Sequence, residues 1–275
     1  MNDARQVLIG RKIDGCTVTR WLGEGNQSLV FEVAHDVDQE RYALKVLAPA
    51  RVTEELTVER FFGEAQTLAR LDHPSVPQVF NLGHEEPWFF MRMNLIEGET
   101  ARARVQRDGP LSWREAVRAG ADLAGALEHA HEQGLLHTDI GPHHMLLGRE
   151  RSSLIGFHLA HDVRARQAAG ARVVRPAWMA PEQGAGKPLD ARADIYSLGV
   201  TLYYLLSGVR AFAGKDLNES LQKHCSYMPE PLQIYLPELP AAASAPIERC
   251  LQKEKLSRYQ AAGELEADLR AALRD

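Results

Sequence analysis

Apolar and polar side chains alternate along the N-terminal part of the chain, most regularly between residues 13 and 48. A period of two places successive side chains on opposite faces of a strand, so that one face is buried and the other meets water. Further alternating stretches continue as far as Asn94. The pattern predicts an antiparallel β-sheet.

One helix interrupts these strands. Between residues 53 and 71, apolar side chains recur three or four positions apart, which is the spacing of one face of an α-helix. They are Leu56, Phe61, Phe62, Leu68 and Leu71. Pro74 disfavours helical backbone at the residue before it, so we predict that the helix ends in this region.

From Gly98 onwards the spacing is mainly helical. The longest stretch runs from residue 112 to residue 133, with Ser112 as the N-cap and Glu115 three residues later, the arrangement of a capping box. Residues 229 to 247 are rich in proline and alanine, and we predict that they form a loop between helices. The sequence thus predicts a sheet-rich first part and a helical second part.

Composition and charge narrow the class of protein. The chain has 275 residues, of which 45% are hydrophobic, and this suits a full globular core. The formal net charge is -5, with both signs mixed along the helices, as on a solvated surface. A protein that binds nucleic acid needs a basic face for the phosphates, so we expect no nucleic acid partner.

The cysteines and the N-terminus bear on where the chain works. Cys16, Cys225 and Cys250 are far apart and form no CxxC pair, so we predict free thiols in a reducing cytoplasm rather than disulfides or a zinc site. Residues 1 to 10 do not read as a signal peptide, and the longest apolar run, residues 199 to 206, is too short to span a bilayer. We expect a soluble, cytoplasmic chain with no membrane segment.

Several short motifs follow one another along the chain. In order, they are Leu22–Val30 (LGEGNQSLV), Tyr42–Lys45 (YALK), His137–Leu147 (HTDIGPHHMLL), Leu154–Ala160 (LIGFHLA), Ala180–Glu182 (APE) and Asp194–Gly199 (DIYSLG). Taken together, they resemble the motifs of the protein kinase family, and of bacterial Ser/Thr protein kinases in particular. The family patterns are a glycine-rich loop, V-A-I-K, H-R-D-x-K-P-x-N, D-F-G and A-P-E.

The resemblance implies a fold. It is the α+β, two-lobed protein kinase-like fold, in which the N-lobe is an antiparallel β-sheet with one main helix and the C-lobe is mostly helical. On this basis residues 1–275 form a single protein kinase-like domain, with the N-lobe at about residues 13–97 and the C-lobe at about residues 98–272.

The resemblance also implies a nucleotide site. In the family, glycines of the first motif let the backbone approach phosphates, and a strand lysine paired with a helix glutamate contacts those phosphates. The matching positions, with those that surround an adenine, are Gly23, Gly25, Val30, Ala43, Lys45, Glu64, Met93, Asn94, Ile96 and Leu146. Each also has a plainer interpretation, because tight hairpins carry GxG and because strand lysines and helix glutamates are common at surfaces.

The catalytic motifs depart from the family pattern. Asp139 stands at the catalytic-base position, but Thr138 and Gly141 replace the family's Arg and Lys. His144 and Gly156 replace the Asn and the D-F-G Asp that hold Mg²⁺ in the family. Mg²⁺ prefers oxygen ligands, whereas His144 offers nitrogen and Gly156 has no side chain. The resemblance therefore implies that both protein ligands of Mg²⁺ are lost.

Two ways to restore a metal site need weighing. A group of histidines close in sequence could bind a softer metal; the group comprises His137, His143, His144, His158 and His161. However, His137 has a packing role in the family and loop histidines are often simply exposed, so we assign no metal. Asp162 could replace the missing Asp only if the loop were rebuilt.

The segment from residue 158 to residue 182 contains no Ser, Thr or Tyr. In the family, a phosphate added to this segment pairs with the catalytic-loop Arg, whose position here is Thr138. Because the phosphate acceptor and its basic partner are both absent from the sequence, we expect no switch of this kind.

The resemblance implies ion pairs that a structure can check. Two of them are Lys45–Glu64 and Glu182–Arg258. A third pair follows from a paired change: a cation is lost at Gly141 and gained at Arg175, where the family has a Thr. Since Gly141 leaves room for a guanidinium, we predict that Arg175 pairs with Asp139, although Arg175 could equally point to solvent.

Two hypotheses for function remain after this comparison. In the first, the chain is a pseudokinase, a regulatory or binding module for a protein partner such as a kinase or another signalling protein, with or without a bound nucleotide, and any ATP is bound without metal. In the second, it is a weakly active ATP-dependent Ser/Thr protein kinase, or an atypical phosphoryl or nucleotidyl transferase, that uses Asp139 and Lys45. A metal-dependent activity that uses the histidines is a third, less favoured alternative.

Overall fold

The structure is a computed structural model that describes residues 7–25, 28–47, 55–157, 161–162 and 175–274. The chain divides into two compact units, Met1–Glu97 and Gly98–Asp275. Among the described residues, no helix is both long enough and apolar enough to cross a membrane.

The first unit is an antiparallel sheet with one helix, as the alternating pattern predicted. The strands are β1 Lys12–Ile13, β2 Cys16–Glu24, β3 Ser28–His35, β4 Arg41–Leu47, β5 Val79–Glu85 and β6 Trp88–Asn94. Their order in the sheet is β1-β2-β3-β4-β6-β5, and each neighbouring pair is antiparallel. One face of the sheet is apolar, since the buried side chains come from alternate positions such as Phe31 and Val33, or Leu44 and Val46.

Helix α1 of this unit spans Glu55–Leu68 and therefore ends three residues before the predicted Leu71. The reason is a tighter turn, in which the Leu71 N–H donates to the Leu68 carbonyl at 3.0 Å. Such a bond between residues three apart is common at helix ends. Leu71 is nevertheless buried, so the apolar spacing that predicted a longer helix reflects packing beyond the helix end.

The second unit is mostly helical. Its helices are α2 Ala101–Asp108, α3 Trp113–Glu132, α4 Pro181–Gly184, α5 Ala191–Ser207, α6 Leu217–Ser226, α7 Ala241–Cys250 and α8 Ala262–Ala272, with short 3-10 helices at Leu232–Ile234 and Lys255–Ser257. Short strands form two small sheets, one of β7 Gly98–Thr100, β9 Met145–Gly148 and β10 Ser153–Leu154, the other of β8 Leu135–Leu136 and β11 His161–Asp162. The predicted cap of α3 is present, since Ser112 Oγ accepts a hydrogen bond from the Glu115 N–H.

The centre of the second unit is α5, which is buried on almost every side. A helix that is apolar all round belongs inside a protein rather than at its surface. Its first two turns nevertheless carry a buried carboxylate, Asp194, and a buried tyrosine, Tyr196. These two side chains connect the helix core to the loops described below.

The prediction of a loop over residues 229 to 247 was partly wrong, because α7 begins at Ala241 and continues to Cys250. Alanine is the strongest helix former, and this helix buries Ala243, Pro246 and Ile247 against the rest of the unit. Packing of that face outweighs the cost of the internal proline.

His224 in α6 makes stability depend on pH. It is 1% exposed, and its Nδ1 lies 3.1 Å from the Tyr196 hydroxyl. Burial of the ring, and then the charge of Lys253, lower the pKa of His224 to about 4. Below the ordinary value of 6.5, the unfolded chain binds a proton that the folded chain does not, so stability is lost as the pH falls from about 6.5 towards 4.

We therefore expect the wild-type free energy of unfolding to fall between about pH 7.5 and about pH 5 by roughly 2 kcal/mol more than that of His224→Gln. Denaturant titration of both proteins at the two pH values measures this difference. Because other groups titrate equally in both proteins, equal pH dependence in the variant and the wild type would show that His224 takes up its proton while folded.

Candidate functional site

The loop that carries Asp139 is attached to helix α5 by hydrogen bonds to the carboxylate of Asp194, which is 1% exposed. The carboxylate accepts hydrogen bonds from the N–H groups of His137 and Thr138, both at 2.8 Å, and from His131 Nε2 at 2.9 Å. Burial favours the neutral acid, but these donors outweigh it and hold the pKa of Asp194 below its usual range. The loop backbone is therefore attached to the central helix.

His137 joins the Asp139 loop to the segment that contains Gly156. Its Nε2 donates to the Ile155 carbonyl at 3.0 Å, and its Nδ1 accepts the Asp139 N–H at 3.2 Å. The ring also meets the buried Phe157 edge to face, with 4.7 Å between ring centroids. This is the packing role that the sequence predicted for His137.

Thr138 adopts a φ of +63°, a costly conformation for a β-branched residue. Two contacts hold it there: its N–H donates to Asp194, and its carbonyl accepts from Gln183 Nε2 at 2.7 Å. The backbone at this position is set by its surroundings rather than by the preference of threonine.

Asp139 is paired with Arg175, as predicted. The Arg175 Nη1 lies 2.5 Å from Asp139 Oδ2, and the two side chains are 33% and 2% exposed. Burial alone would raise the pKa of Asp139, but the neighbouring His143 and the charge of Arg175 lower it. Asp139 is thus ionised, and its carboxylate is already paired with the guanidinium of Arg175.

Two imidazoles fill the space beside the two glycines of the motifs. A Cβ built on Gly141 would lie 2.5 Å from Cε1 of His143, and a Cβ on Gly156 would lie 2.5 Å from Cδ2 of His144. The two rings contact each other, with centroids 4.1 Å apart. The expectation that Gly141 makes room for Arg175 was therefore wrong, because His143 occupies that room.

The arrangement does not suit Mg²⁺. His144 Nδ1 donates to the Asp139 carbonyl at 2.7 Å, and its ring covers Gly156, which has a φ of +88°. At the two positions where the family has side chains with oxygen ligands, this chain has the imidazole of His144 and the backbone of Gly156, packed against each other. Because Mg²⁺ is a hard cation that takes oxygen ligands, these residues do not fit it.

His143 was named from the sequence only as one of a group of histidines, with no individual role at the site. Its pKa is lowered from the ordinary value, first by burial and also by the charge of Arg175. Gly141, His144 and Gly156 are departures from the family motif, whereas His143 stands at a variable position, and only the structure shows which ring lies over which glycine.

Several of the predicted nucleotide positions of the first unit are paired with one another across neighbouring strands of the sheet. Gly23 pairs with Val30, Val30 with Lys45, and Ala43 with Met93, which places them on one face of the sheet. Lys45 Nζ lies 2.5 Å from Glu64 Oε2, so the predicted ion pair is confirmed.

The remaining nucleotide positions are placed as follows. The Gly25 N–H donates to the Ser28 carbonyl at 2.8 Å, and the loop tip between them lies outside the described residues. Asn94 Oδ1 accepts the N–H of Gln78 at 2.7 Å, and Ile96 follows in the segment after β6. Leu146, in the second unit, is half-buried in β9. Nucleotide binding at these positions stays a prediction.

The Glu182–Arg258 pair is confirmed and fully buried. Arg258 Nη1 lies 2.7 Å from Glu182 Oε1, and Nη2 lies 3.1 Å from Oε2. The guanidinium carbon also lies 4.7 Å from the ring centroid of Tyr196. The pair joins the segment at α4 to the loop before α8.

For three of the residues considered for a metal site, the structure describes no side chain. His158 lies outside the described residues, and for His161 and Asp162 only the backbone is described, as strand β11. The idea that Asp162 replaces the missing Asp stays a prediction.

Known proteins share this fold. Similar proteins include the serine/threonine-protein kinases PrkC of Bacillus subtilis, 28% identical over 97% of this chain, and PknJ of Mycobacterium bovis, 34% identical over 98%. The chain covers only 42% and 47% of their lengths. The crystal structure of the Mycobacterium tuberculosis PknI kinase domain matches with a TM-score of 0.68 and 28% identity, over 96% of this chain and 98% of that one.

A family description, the protein kinase domain, matches residues 16–268, nearly the whole chain. The matched region includes strands β2 to β6 and the helix of the first unit, and the helices of the second unit as far as the first part of α8. The chain therefore belongs to the protein kinase domain family and has its two-lobed α+β fold.

Proposed function

We propose that this domain is a pseudokinase, a kinase fold that binds and regulates rather than transfers phosphate. The observation that carries the proposal is the position of His144, whose ring lies against Gly156 in the place of the family's oxygen ligands. Phosphoryl transfer in the family depends on Mg²⁺ to neutralise the phosphates and to align them. A domain that cannot hold Mg²⁺ in this way lacks the main source of catalysis.

The state of Asp139 supports the same conclusion. A general base contributes about 10²- to 10⁴-fold to a rate, and only if it reaches the substrate hydroxyl. Here Arg175 occupies the carboxylate at 2.5 Å. A substrate hydroxyl would have to displace this ion pair, so Asp139 is poorly placed to act as a base.

The features that remain fit a binding module. The Lys45–Glu64 pair is formed, Asp194 holds the loop, and the Glu182–Arg258 pair is buried. These interactions maintain a folded surface for a partner, and we propose a signalling protein, such as an active kinase, as that partner. We further propose that any ATP is bound through the first unit's lysine without a metal ion.

The second candidate is a weakly active Ser/Thr protein kinase or another phosphoryl or nucleotidyl transferase. The intact Lys45–Glu64 pair favours it, as do relatives named serine/threonine-protein kinases. Incubation with labelled ATP and Mg²⁺ or Mn²⁺ separates the two candidates. Incorporation of label that is lost in Asp139→Asn would support the enzyme and contradict the pseudokinase.

We expect ATP binding to be independent of Mg²⁺, because neither His144 nor Gly156 offers an oxygen ligand. Ligand binding to the folded state raises the melting temperature, so thermal shifts with ATP in EDTA, Mg²⁺ or Mn²⁺ measure this directly. Equal shifts in all three conditions are expected, and Lys45→Met should remove them. Lys12→Met is the control, since Lys12 is a largely exposed strand lysine paired with Asp36.

An ATP affinity that rises about a hundredfold when Mg²⁺ is added would contradict this prediction, since a ligand's stabilising effect grows with its affinity. Binding that survives in Lys45→Met but depends on another residue would place the nucleotide elsewhere. In that case the pseudokinase proposal would stand, and the assignment of the nucleotide site would not.

A further inference from the structure

Three side chains with metal-binding atoms meet in the loop of the second unit. One ligand atom from each of Asp139, His143 and His144 lies within 4.8 Å of the other two. His143 Nε2 is 3.9 Å from Asp139 Oδ1, and His144 Nδ1 is 3.6 Å from Asp139 Oδ2. Both imidazoles therefore flank a single carboxylate from two sides.

One of these atoms is buried without a protein partner. His143 Nε2 has no hydrogen-bond partner among the described residues, although it faces the Asp139 carboxylate. Its distance of 3.9 Å from Oδ1 is too long for a hydrogen bond. A buried polar atom without a partner is uncommon in proteins, and an ion or a water molecule is a frequent explanation.

We propose that Asp139, His143 and His144 form a binding site for a divalent transition metal of the Zn²⁺ type. Imidazole nitrogen suits Zn²⁺, Ni²⁺ or Cu²⁺, and two histidines with one carboxylate form a common ligand set for such ions. Ligands at about 2.0–2.2 Å from a tetrahedral ion lie roughly 3.3–3.6 Å apart. The two separations run to different oxygens of Asp139, 3.9 Å to Oδ1 and 3.6 Å to Oδ2. One ligand atom from each residue lies within 4.8 Å of the other two, so the three groups have to close in on an ion to reach this geometry.

The surroundings hold the rings in place for this role. The imidazole of His143 lies over Gly141 and that of His144 over Gly156, so each ring packs against backbone where any larger residue would collide with it. One bond has to change on coordination: His144 Nδ1 donates to the Asp139 carbonyl at 2.7 Å. Coordination through Nδ1 replaces this bond and moves the ring proton to Nε2.

Arg175 is the competitor of the metal. Its guanidinium and a divalent cation cannot both occupy the Asp139 carboxylate, because like charges at that distance repel each other. The Arg175 side chain is 33% exposed, so water is available to the guanidinium when it leaves. The carboxylate is thus held either by the arginine or by the metal.

Metal binding is tested on the full chain without an affinity tag, after a chelator has been applied and removed. Calorimetry with Zn²⁺ and visible absorption with Co²⁺, whose spectrum reports imidazole ligands and coordination geometry, give affinity and ligand type. We expect one ion per chain, with the affinity lowered at least tenfold in His143→Gln and in His144→Asn. Arg175→Ala should bind several-fold more tightly, because the competing charge is gone.

His35→Ala is the matched control, since His35 lies in β3 of the first unit beside Asp38, and the variant should bind metal as the wild type does. Circular dichroism of each variant checks that it folds. If His144→Asn is unstable, His143→Gln, whose side chain is similar in size to histidine, still tests the site. Absence of saturable binding in both the wild type and Arg175→Ala would overturn the proposal. So would equal affinity in the wild type and both histidine variants. These metal-binding experiments contain no nucleotide, so their outcome does not depend on whether the chain binds ATP.

Discussion

Replacing Arg258 with alanine is expected to lower the free energy of unfolding by about 3–5 kcal/mol. Arg258 is fully buried and bonds to both carboxylate oxygens of Glu182. It also donates to the carbonyls of Gln252, Arg192 and Lys253, at 2.7, 3.1 and 2.9 Å. Its loss leaves a buried carboxylate and three carbonyls without their donor, and that stranded charge is the main cost.

Denaturant titration of Arg258→Ala and of a surface control measures this effect. Arg107→Ala removes an arginine that is 59% exposed and paired with Glu99 and Asp108, and such pairs contribute about 0–1 kcal/mol. The double variant Arg258→Met with Glu182→Leu should recover much of the loss, because no charge remains buried. If Arg258→Ala unfolds within about 1 kcal/mol of the control, the ion pair is not the buried anchor inferred here.

Gly156→Asp, which restores the family's metal-ligand residue, is expected to destabilise the protein by roughly 2–5 kcal/mol. Part of the cost is overpacking, about 1–3 kcal/mol, because the new Cβ would lie 2.5 Å from the ring of His144. The remainder is the left-handed backbone, with a φ of +88°, which costs a residue other than glycine roughly 1–2 kcal/mol.

Combining Gly156→Asp with His144→Asn should remove the overpacking, because the ring that the new side chain meets is no longer present. We expect the double variant to be more stable than the sum of the single changes by at least about 1 kcal/mol. Gly186→Asp is the matched control: its φ is +65°, but nothing lies within 4 Å of the added Cβ. It should show backbone strain alone and no coupling to His144→Asn.

Additive effects of Gly156→Asp and His144→Asn would contradict the packing of the ring against the glycine. A double variant that binds Mg²⁺ and incorporates phosphate would go further, because it would identify these two positions as sufficient to restore the family's metal site. Isothermal calorimetry with ATP and Mg²⁺ measures whether the double variant binds Mg²⁺.

Much of the fold could be predicted from local pattern. Alternation predicted the strands of the first unit, since a sheet with one buried face requires it, and Ser112 marked the start of α3. The ion pairs could be predicted because charged residues stand at matching family positions. The Arg175–Asp139 pair depended on one further argument, that a charge lost at Gly141 reappeared nearby.

What the sequence could not predict depends on contacts between residues far apart along the chain. The helix α7 was missed because an internal proline favours a loop when the face that the segment buries is unknown. The position of His143 was missed because its ring lies beside the Asp139 carboxylate, to which Arg175 is brought from 36 positions along the chain. In both cases tertiary packing decided between local alternatives.

The attachment of the Asp139 loop to Asp194 has a consequence for engineering. Two of its three hydrogen bonds come from backbone N–H groups, which every residue except proline provides. These two bonds hold the backbone at positions 137 and 138 whichever side chains stand there, as Thr138 illustrates. Randomising positions 141, 143 and 144 while keeping Asp194 and His131 offers a library of new ligand sets on a constant scaffold.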